Sequence, residues 1–412
     1  MIDIALVRTD PDLVRQTVRA KGSDVDVERL IAVDDEVRRL TTHTEGLRAR
    51  QKRFTGDTPR DVAKALKEEL VAAAGQLRLI EEERDALWAR VPNLVAGDTP
   101  GGDDDSGNVE LRREGDPTPA DEGRSHERIG ERLRIFDLVR GAEIAGSGFY
   151  YWRGDGARLA WAIFSYAQDL LGSRGFEPMF TPLVARERTF FGTGYLPFFA
   201  EDLYRVEGTD LSLIGTSEQT LIGYHGDSIV DLDELPIRLT AFTPCFRTEA
   251  GSAGRANRGG FRVHQFHKVE QVVICAPEDS EHWLDECQRN AEDLLRGLEL
   301  PFRVVRVCLG DLGAPAYKKY DTETWFPSFG AYRETHSNSN LTDYQARRFR
   351  IRFRRDGRMV HPHTISATGI TDRAALAVLE NHVRPDGSIH VPKALRTYLG
   401  GRERLGAPLV HP

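Results

Sequence analysis

The chain has 412 residues, of which 40% are hydrophobic and 29% charged, and its formal net charge at pH 7 is −8. This composition excludes a disordered or fibrous protein, and the length exceeds what a single hydrophobic core usually organises, so we expect two domains. No apolar run reaches the roughly 18 residues that a membrane helix needs, and the N-terminus is charged rather than apolar, which predicts a cytoplasmic protein without membrane contact.

Two long helices are predicted near the N-terminus. One apolar stripe runs through residues 26–52 at steps of three and four among charges: Leu30, Val33, Val37, Leu40 and Leu47. Gly, Asp and Pro in residues 54–59 predict a tight turn, and a second periodic stretch runs to about residue 91. The pattern is typical of an antiparallel coiled-coil hairpin, which could pack on another part of the protein, pair with a partner or reach for RNA. Because the net charge repels phosphates, an RNA partner would need local basic patches.

The segment 95–125 is rich in Gly, Asp and Pro and indicates a linker, so we place a domain boundary near residue 101. This predicts a helical domain over residues 1–100 and a second domain over 101–412. In the second, helices are predicted over 159–173 and 281–297, and strands over 236–246, 261–275, 302–308 and 347–355. Strands that follow one another in sequence favour an α+β domain with an antiparallel sheet and flanking helices.

The densest group of chemically active side chains lies in residues 246–270, FRTEAGSAGRANRGGFRVHQFHKVE. A strand through Arg247 and Glu249 would place both on one face, and an arginine beside a carboxylate suits a phosphate beside an amine. On the return strand, Arg262, Phe266 and Lys268 would share a side. By composition alone such a hairpin is more often a solvated surface than a nucleotide site. The chain has no GxGxxG after a strand and no GxxxxGK[ST] loop, so any ATP site has another architecture.

Residues 246–270 closely resemble motif 2 of the seryl-tRNA synthetases, with both the FRxEAGSAG opening and the RVHQFxKVE close. Further segments resemble the same family in the same order: GYLPFF at 194–199, GTSEQT at 215–220, YRETHSNSNLTDYQARR at 332–348 and DGSIHVPKALRTYLGG at 386–401. The resemblance therefore covers essentially the whole chain, the N-terminal hairpin included.

The resemblance implies a class II aminoacyl-tRNA synthetase: a homodimer whose antiparallel-sheet domain forms seryl-adenylate from serine and ATP with Mg²⁺, and then charges tRNA(Ser). The hairpin would be its tRNA-binding arm. Arg247 would hold the α-phosphate and the serine carboxylate, and Arg373 the γ-phosphate, as the catalytic arginines. The other implied ATP-binding residues are Glu249, Arg262, Phe266, Glu334 and Ser337, with Glu334 and Ser337 as Mg²⁺ ligands. The implied serine-binding residues are Thr216, Glu218, Arg247, Glu270, Ser366 and Thr368.

The last motif departs from the family pattern. HTISATGITDR, at 363–373, is one residue shorter than the family's usual HTLNGSGLAVGR. Ser366 stands where an asparagine is expected, Thr368 where a serine or threonine contacts the substrate, and Asp372 replaces a glycine beside Arg373. Asp372 could weaken ATP binding or point outward. The helical hairpin is also shorter than the family's arm. These departures would suit a divergent second copy of the enzyme.

Two other functions stay open at this point. One is a paralogue that adenylates an amino acid but delivers it to an acceptor other than tRNA, which loss of the arm would favour. The other is a non-catalytic paralogue that binds RNA or a partner protein, which loss of the ATP arginines or the Mg²⁺ carboxylate would favour. The hairpin, Arg247, Arg373 and Glu334 are all present.

Overall fold

A computed structural model describes residues 1–250 and 259–406. The chain divides into two compact units, Met1–Leu94 and Val95–Pro412. Within the described residues, no helix is both long enough and apolar enough to span a membrane.

The first unit is helical, with α1 Ile4–Thr9, α2 Pro11–Ala20, α3 Val27–Lys52 and α4 Arg60–Ala89. Aspartates begin the first three helices: Asp3, Asp10 and Asp26 each accept a hydrogen bond from a backbone N–H in the first turn. The predicted stripe of α3, from Leu30 to Leu47, is buried as expected. Arg29 at the start of α3 donates to Glu83 near the end of α4 at 2.7 Å, so the two long helices run antiparallel.

The second unit contains eight further helices among its described residues. They are α5 His126–Leu133, α6 Leu138–Ala145, α7 Asp155–Ser173, α8 Glu187–Thr193, α9 Glu218–Gly223, α10 Ser280–Gly297, α11 Tyr344–Phe349 and α12 Asp372–His382. The strands of this unit are β1 Val109–Glu114, β2 Phe136–Asp137, β3 Tyr151–Trp152, β4 Glu177–Pro178, β5 Val184–Arg186, β6 Leu211–Leu213, β7 Ile229–Val230, β8 Ile237–Phe246, β9 Gln265–Cys275, β10 Phe302–Arg306, β11 Lys318–Phe326, β12 Ala331–Asn340, β13 Arg352–Arg355, β14 Arg358–Val360, β15 His363–Thr371, β16 Ile389–His390 and β17 Arg404–Leu405.

An eight-stranded sheet organises this unit, in the order β1-β10-β11-β12-β15-β9-β8-β4. Successive neighbours from β1 to β8 are antiparallel, and β4 joins β8 in parallel. Helices α7, α10 and α12 bury apolar side chains such as Leu159, Leu294 and Leu379 in one core with Val269 and Ile365 of the central strands. Each helix thus hides its apolar stripe against the sheet, which confirms the predicted α+β class.

Two predicted elements need correction. Residues 347–349 belong to α11 rather than to a strand, because Arg347 closes a helical turn onto the carbonyl of Asp343. Arg350 then adopts φ of +57°, and the strand begins only at Arg352. The strand predicted from residue 261 starts at Gln265. The predicted linker contains one short strand-like patch, and this patch is the strand β1, which pairs with β10.

Candidate active site

A cavity of about 510 Å³ opens in the second unit. Its lining includes all twelve residues that the sequence implies for ATP, Mg²⁺ and serine: Thr216, Glu218, Arg247, Glu249, Arg262, Phe266, Glu270, Glu334, Ser337, Ser366, Thr368 and Arg373. The central strands β9, β12 and β15 and the start of α12 supply most of them. Side chains from five separate stretches of sequence therefore face one space.

Arg247 and Glu249 lie beyond the end of β8, so the prediction that one strand carries both is wrong. The strand ends at Phe246, and Glu249 has a left-handed backbone with φ of +53°. The backbone N–H of Arg247 donates to the carbonyl of His264 at 3.0 Å, and its Nε donates to the carbonyl of Gly215 at 3.3 Å. These backbone contacts, rather than the alternation of a strand, set the direction of the Arg247 side chain.

The Arg247 guanidinium lies 5.3 Å from the ring centroid of Phe266. Close by, Glu249 accepts a hydrogen bond from Nε of Arg262 at 2.5 Å. Desolvation lowers the pKa of Arg247, but neighbouring acidic groups, Tyr195 first among them, raise it above its ordinary value. Arg247 is therefore a permanent cation next to an aromatic face, an arrangement that suits a nucleotide phosphate beside a stacked base.

Arg373 lies in the first turn of α12, with Thr371 as the helix N-cap. Its Nε donates to the carbonyl of Phe261 at 3.1 Å, and its guanidinium lies 4.4 Å from the Phe261 ring centroid. Nη1 donates to the carbonyl of Glu334 at 2.7 Å. Desolvation lowers the pKa of Arg373, yet an arginine stays charged under all ordinary conditions. A second fixed cation therefore faces the cavity.

A β-bulge explains how Glu334 and Ser337 share one face of β12. Residues three apart in a regular strand point to opposite faces. In the pairing of β12 with β11, however, the register shifts between Thr322 and Glu323, and Thr335 is left without a partner across the ladder. The extra residue turns Glu334 towards the cavity that Ser337 lines.

The donor atoms of this pair fit Mg²⁺, because a carboxylate and a hydroxyl are hard oxygen ligands. Desolvation raises the pKa of Glu334, but the positive charges of Arg373 and Lys319 have the larger effect and hold it below its ordinary value. The carboxylate is therefore ionised at neutral pH. Among the described residues, no group of three or more His, Cys, Asp and Glu side chains forms a metal cluster. Mg²⁺ held here would need further oxygens, which nucleotide phosphates provide in many enzymes.

Glu270 is the centre of a buried polar network on β9. Its carboxylate accepts from Oγ1 of Thr216 at 3.0 Å and from Oγ of Ser366 at 3.2 Å, and it forms an ion pair with Lys268. Thr368 lies directly opposite Glu270 on β15. Small hydroxyl side chains on two strands thus surround one carboxylate, and the group can accept from an ammonium and exchange hydrogen bonds with a hydroxyl.

Glu218, at the start of α9, lies beside this network. It accepts from Nε2 of Gln345 at 2.6 Å, and Gln345 is itself fixed by Oγ1 of Thr364 at 2.7 Å. Removal from solvent raises the pKa of Glu218, and the negative charge of Glu270 raises it further. Two carboxylates therefore face the same part of the cavity, which favours a cationic ligand group there.

Asp372 does not point outward. Its buried carboxylate accepts from the hydroxyl of Tyr150 at 2.8 Å and from Nε1 of Trp152 at 2.9 Å. It also accepts from the backbone N–H of His267 and lies 3.2 Å from Nδ1 of that residue. The carboxylate ties α12 to β3 and β9, so its hydrogen-bonding capacity is used within the protein.

Four further cavity residues are not among the predicted site residues: Tyr195, Phe261, Lys268 and Lys319. Lys268 shares the alternation of β9 with Phe266 and Glu270, which was the available signal for it. Tyr195 lies in the GYLPFF segment. Phe261 carries no such signal, because its position depends on a contact with Arg373, which is remote in sequence. Lys319 lies outside the quoted motifs and pairs with Asp321, two residues further along β11.

Comparisons with known proteins match this chain to tRNA synthetases along nearly its whole length. Residues 1–95 match the seryl-tRNA synthetase N-terminal domain, and residues 202–382 match the tRNA synthetase class II core domain (G, H, P, S and T). The serine–tRNA ligase of Rubrobacter xylanophilus is 42% identical over 98% of this chain and 99% of its own length. That of Deinococcus radiodurans is 41% identical over 99% of this chain and 100% of its own length.

Solved structures agree with the sequence relatives. Seryl-tRNA synthetase from Pyrococcus horikoshii complexed with ATP superposes with a TM-score of 0.91 at 34% identity, covering 98% of this chain and 99% of that one. The cytoplasmic serine–tRNA ligase from Naegleria fowleri in complex with AMP gives a TM-score of 0.87 at 31% identity, covering 98% of both chains. By fold, by domain content and by identity over nearly its full length, the chain belongs to the seryl-tRNA synthetase family of class II aminoacyl-tRNA synthetases.

Proposed function

We propose that the cavity is the site at which this serine–tRNA ligase activates serine with ATP before charging tRNA(Ser). The observation that carries the proposal is the convergence of twelve residues from separate sequence segments on one cavity of about 510 Å³. The cavity combines fixed arginines, an aromatic face and paired carboxylates, as an amino acid and a nucleotide require.

In the first step, a carboxylate oxygen of serine attacks the α-phosphorus of ATP and pyrophosphate leaves, which gives seryl-adenylate. A hydroxyl of the terminal ribose of tRNA then attacks the seryl carbonyl, and AMP leaves. Because the serine carboxylate is already ionised at neutral pH, the first step needs no general base. The protein has to neutralise charge and align the attack.

Arg247 is suited to contact both reacting groups, the α-phosphate and the serine carboxylate, since its planar guanidinium presents paired donors. Phe266 would stack on the adenine, and Glu249 would accept from the adenine amino group while Arg262 contacts phosphate. Arg373, held at Phe261 and Glu334, would bind the γ-phosphate. Glu334 and Ser337 would hold Mg²⁺, which neutralises phosphate charge when bound.

The network around Glu270 would select serine. Glu218 and Glu270 would accept from the ammonium group, and Thr216 lies within hydrogen-bond reach of Glu270. Ser366 and Thr368 bring hydroxyl groups to the same wall of the cavity. A pocket built to pair a hydroxyl rejects analogues without one, because its buried polar atoms would stay unpaired.

The N-terminal helical hairpin would bind tRNA(Ser). Seven basic residues are exposed around the turn between α3 and α4: Arg48, Arg50, Lys52, Arg53, Arg60, Lys64 and Lys67. Between residues 46 and 67 the only acids are Asp57 and Asp61, whereas the whole chain carries −8. This end of the hairpin is therefore a local basic patch of the kind that contacts nucleic acid backbones.

The hairpin also bears on the alternative functions. A paralogue that serves an acceptor other than tRNA has no need of a basic hairpin, and a non-catalytic paralogue has no need of Arg247, Arg373 and Glu334. The curated relatives match over the whole chain and are serine–tRNA ligases. Neither alternative has an observation in its favour.

The active assembly would be a homodimer that acts in the cytoplasm. Large apolar side chains are exposed on two helices that follow one another in the chain, with Val139 and Ile144 on α6 and Trp161 on α7. Phe180, which follows β4, is also fully exposed. Apolar surface of this kind marks protein interfaces.

The direct test is amino-acid-dependent exchange of pyrophosphate into ATP by the purified chain, followed by charging of total tRNA. Serine is compared with threonine, alanine, glycine and cysteine. We expect exchange with serine alone, and charging of the serine-accepting tRNA. Exchange without charging would point to another acceptor, and no exchange with any amino acid would overturn the proposed activity.

A further inference from the structure

His126 and Glu380 form a buried pair behind the cavity, and neither residue lines it. His126 begins α5, and Glu380 lies near the end of α12. Nδ1 of His126 is 2.7 Å from Oε1 of Glu380, and the backbone N–H of His126 donates to the same oxygen at 3.1 Å. The Glu380 carboxylate also accepts from the backbone N–H and the hydroxyl of Ser328, at 3.0 and 2.8 Å.

The second ring nitrogen of His126 carries the connection to the cavity. Nε2 accepts the backbone N–H of Gly260 at 3.1 Å, so Nε2 bears no proton and Nδ1 is the nitrogen that donates to Glu380. The backbone lies directly against the ring: a Cβ on Gly259 would come within 2.2 Å of Nε2. A Cβ on Gly260 would come within 2.5 Å of the Phe136 ring. Because Gly259 and Gly260 have no side chains, the backbone can approach His126 closely enough for its ring to bind the Gly260 N–H.

That N–H begins the segment that forms one wall of the cavity, since Gly260, Phe261 and Arg262 all line it. Arg373 donates to the carbonyl of Phe261 and lies over its ring. Helix α12 therefore holds this segment at two points. It does so directly through Arg373, and through Glu380 and His126 at Gly260.

We propose that His126 and Glu380 are positioning residues of the ATP site. By fixing the N–H of Gly260, the pair sets where Phe261 and Arg262 stand relative to Arg373, and hence the spacing of two phosphate-binding arginines. Both residues act through the backbone and touch no substrate. The inference rests on the proposed roles of Arg262 and Arg373 in binding ATP.

Two substitutions at His126 separate this role from plain packing. In His126→Gln the carboxamide can reach the position of Nε2 and accept from Gly260. In His126→Asn it reaches only the position of Nδ1, so the Glu380 contact is kept and the Gly260 N–H is left unpaired. Ser328→Ala is the matched control, because it removes one hydrogen bond to Oε1 of Glu380 but leaves His126 and its contact with Gly260 in place.

The measurement is KM for ATP and KM for serine in pyrophosphate exchange, with the thermal unfolding midpoint of each full-length variant. We expect His126→Asn to raise KM for ATP about tenfold and KM for serine less than about twofold. His126→Gln and Ser328→Ala should stay within about threefold of the unsubstituted protein for both substrates. A matching pattern supports a positioning role at Gly260.

Equal effects of His126→Asn and Ser328→Ala on KM for ATP would overturn the inference, as would an equal rise in both KM values or no rise. If His126→Asn does not fold, Glu380→Gln is judged by the same criterion, a selective rise in KM for ATP. Arg373→Ala distinguishes the two proposals: an unchanged KM for ATP in that variant would remove the ATP role of Arg373 itself. If Arg373→Ala raises KM for ATP but the His126 variants do not show the expected pattern, only the positioning role is overturned.

Discussion

At the scale of single residues, the charge of Glu218 depends on its surroundings in the cavity. Removal from solvent and then the Glu270 carboxylate raise its pKa. A carboxylate with a raised pKa takes up its proton at a higher pH than an ordinary glutamate. Since only the ionised form attracts the ammonium group of serine, serine binding should start to weaken, as the pH falls, at a higher pH than an ordinary glutamate would cause.

Glu218→Gln should remove most of that pH dependence and, at a pH where the unsubstituted carboxylate is ionised, raise KM for serine about tenfold or more, because a charge-assisted hydrogen bond is lost. The check is KM for serine, measured by pyrophosphate exchange from mildly acidic to mildly alkaline pH. Glu207→Gln, at an exposed glutamate outside the cavity, serves as the control and should behave as the unsubstituted protein. If KM for serine rises at acidic pH in Glu218→Gln as it does in the unsubstituted protein, Glu218 is not the group whose protonation weakens serine binding.

The buried carboxylate of Asp372 should contribute to the stability of the fold. Asp372→Asn places an amide among the donors of Tyr150, Trp152 and His267, and at least one donor then loses its acceptor. We expect a loss of about 1–3 kcal/mol in the free energy of unfolding, measured by urea denaturation. Asp169→Asn at the surface, where one tyrosine hydroxyl is the donor, should cost less than about 0.5 kcal/mol. Similar losses in the free energy of unfolding in both variants would show that the buried hydrogen bonds of Asp372 stabilise the fold no more than a surface hydrogen bond does.

At the scale of elements, the bulge in β12 decides which side chains can share a metal ion. It brings Glu334 onto the face of Ser337, and Ser339 follows on that face one alternation further. The position of Thr335 in the ladder, rather than the residue types alone, therefore makes Glu334 and Ser337 a possible pair of ligands.

Ser337→Ala should raise the Mg²⁺ concentration needed for half-maximal exchange by about threefold to tenfold, because one oxygen ligand is lost. Ser339→Ala is the control on the same face and should leave that concentration unchanged. The readout is a Mg²⁺ titration of exchange at saturating serine and ATP. If the two alanine variants give the same titration, Ser337 is not a ligand.

The helical hairpin supports a prediction on tRNA. Replacing Arg50, Lys52 and Arg53 together by alanine should raise KM for tRNA in charging about tenfold or more and reduce its dependence on salt, since phosphate contacts are lost. Pyrophosphate exchange should not change. Arg38→Ala with Arg39→Ala is the control, because these arginines of α3 already pair with Asp35 and Glu36. Equal losses in both sets would argue against a specific basic patch.

At the scale of the whole molecule, the proposed homodimer makes a prediction for the exposed surface of α7. Trp161 is 66% exposed on α7, close to the exposed Tyr151 of β3. We expect Trp161→Asp to shift the protein from dimer to monomer in light scattering after gel filtration, because a buried unpaired charge would oppose association. Tyr224→Asp, at a tyrosine that is 70% exposed near α9, should leave the mass unchanged. A monomeric unsubstituted protein would contradict the homodimer outright.

The sequence by itself determined the two long helices, the family and the set of side chains that line the cavity. Periodicity gave the two long helices, whose bounds agree within a few residues, and the stripe from Leu30 to Leu47 is buried. Such patterns can be predicted because a helix repeats every 3.6 residues whatever surrounds it. The motifs identified the family and the residues that line the cavity, since motifs record side-chain types in order along the chain.

Only the tertiary structure decided how those residues meet. It placed Arg247 and Glu249 beyond the end of a strand, put residues 347–349 in a helix, and turned Glu334 to the cavity by a bulge. It also paired His126 with Glu380, 254 residues apart, and gave Asp372 its three partners. Strand ends, bulges and distant contacts depend on packing and backbone hydrogen bonding between segments remote in sequence, and no local period encodes them.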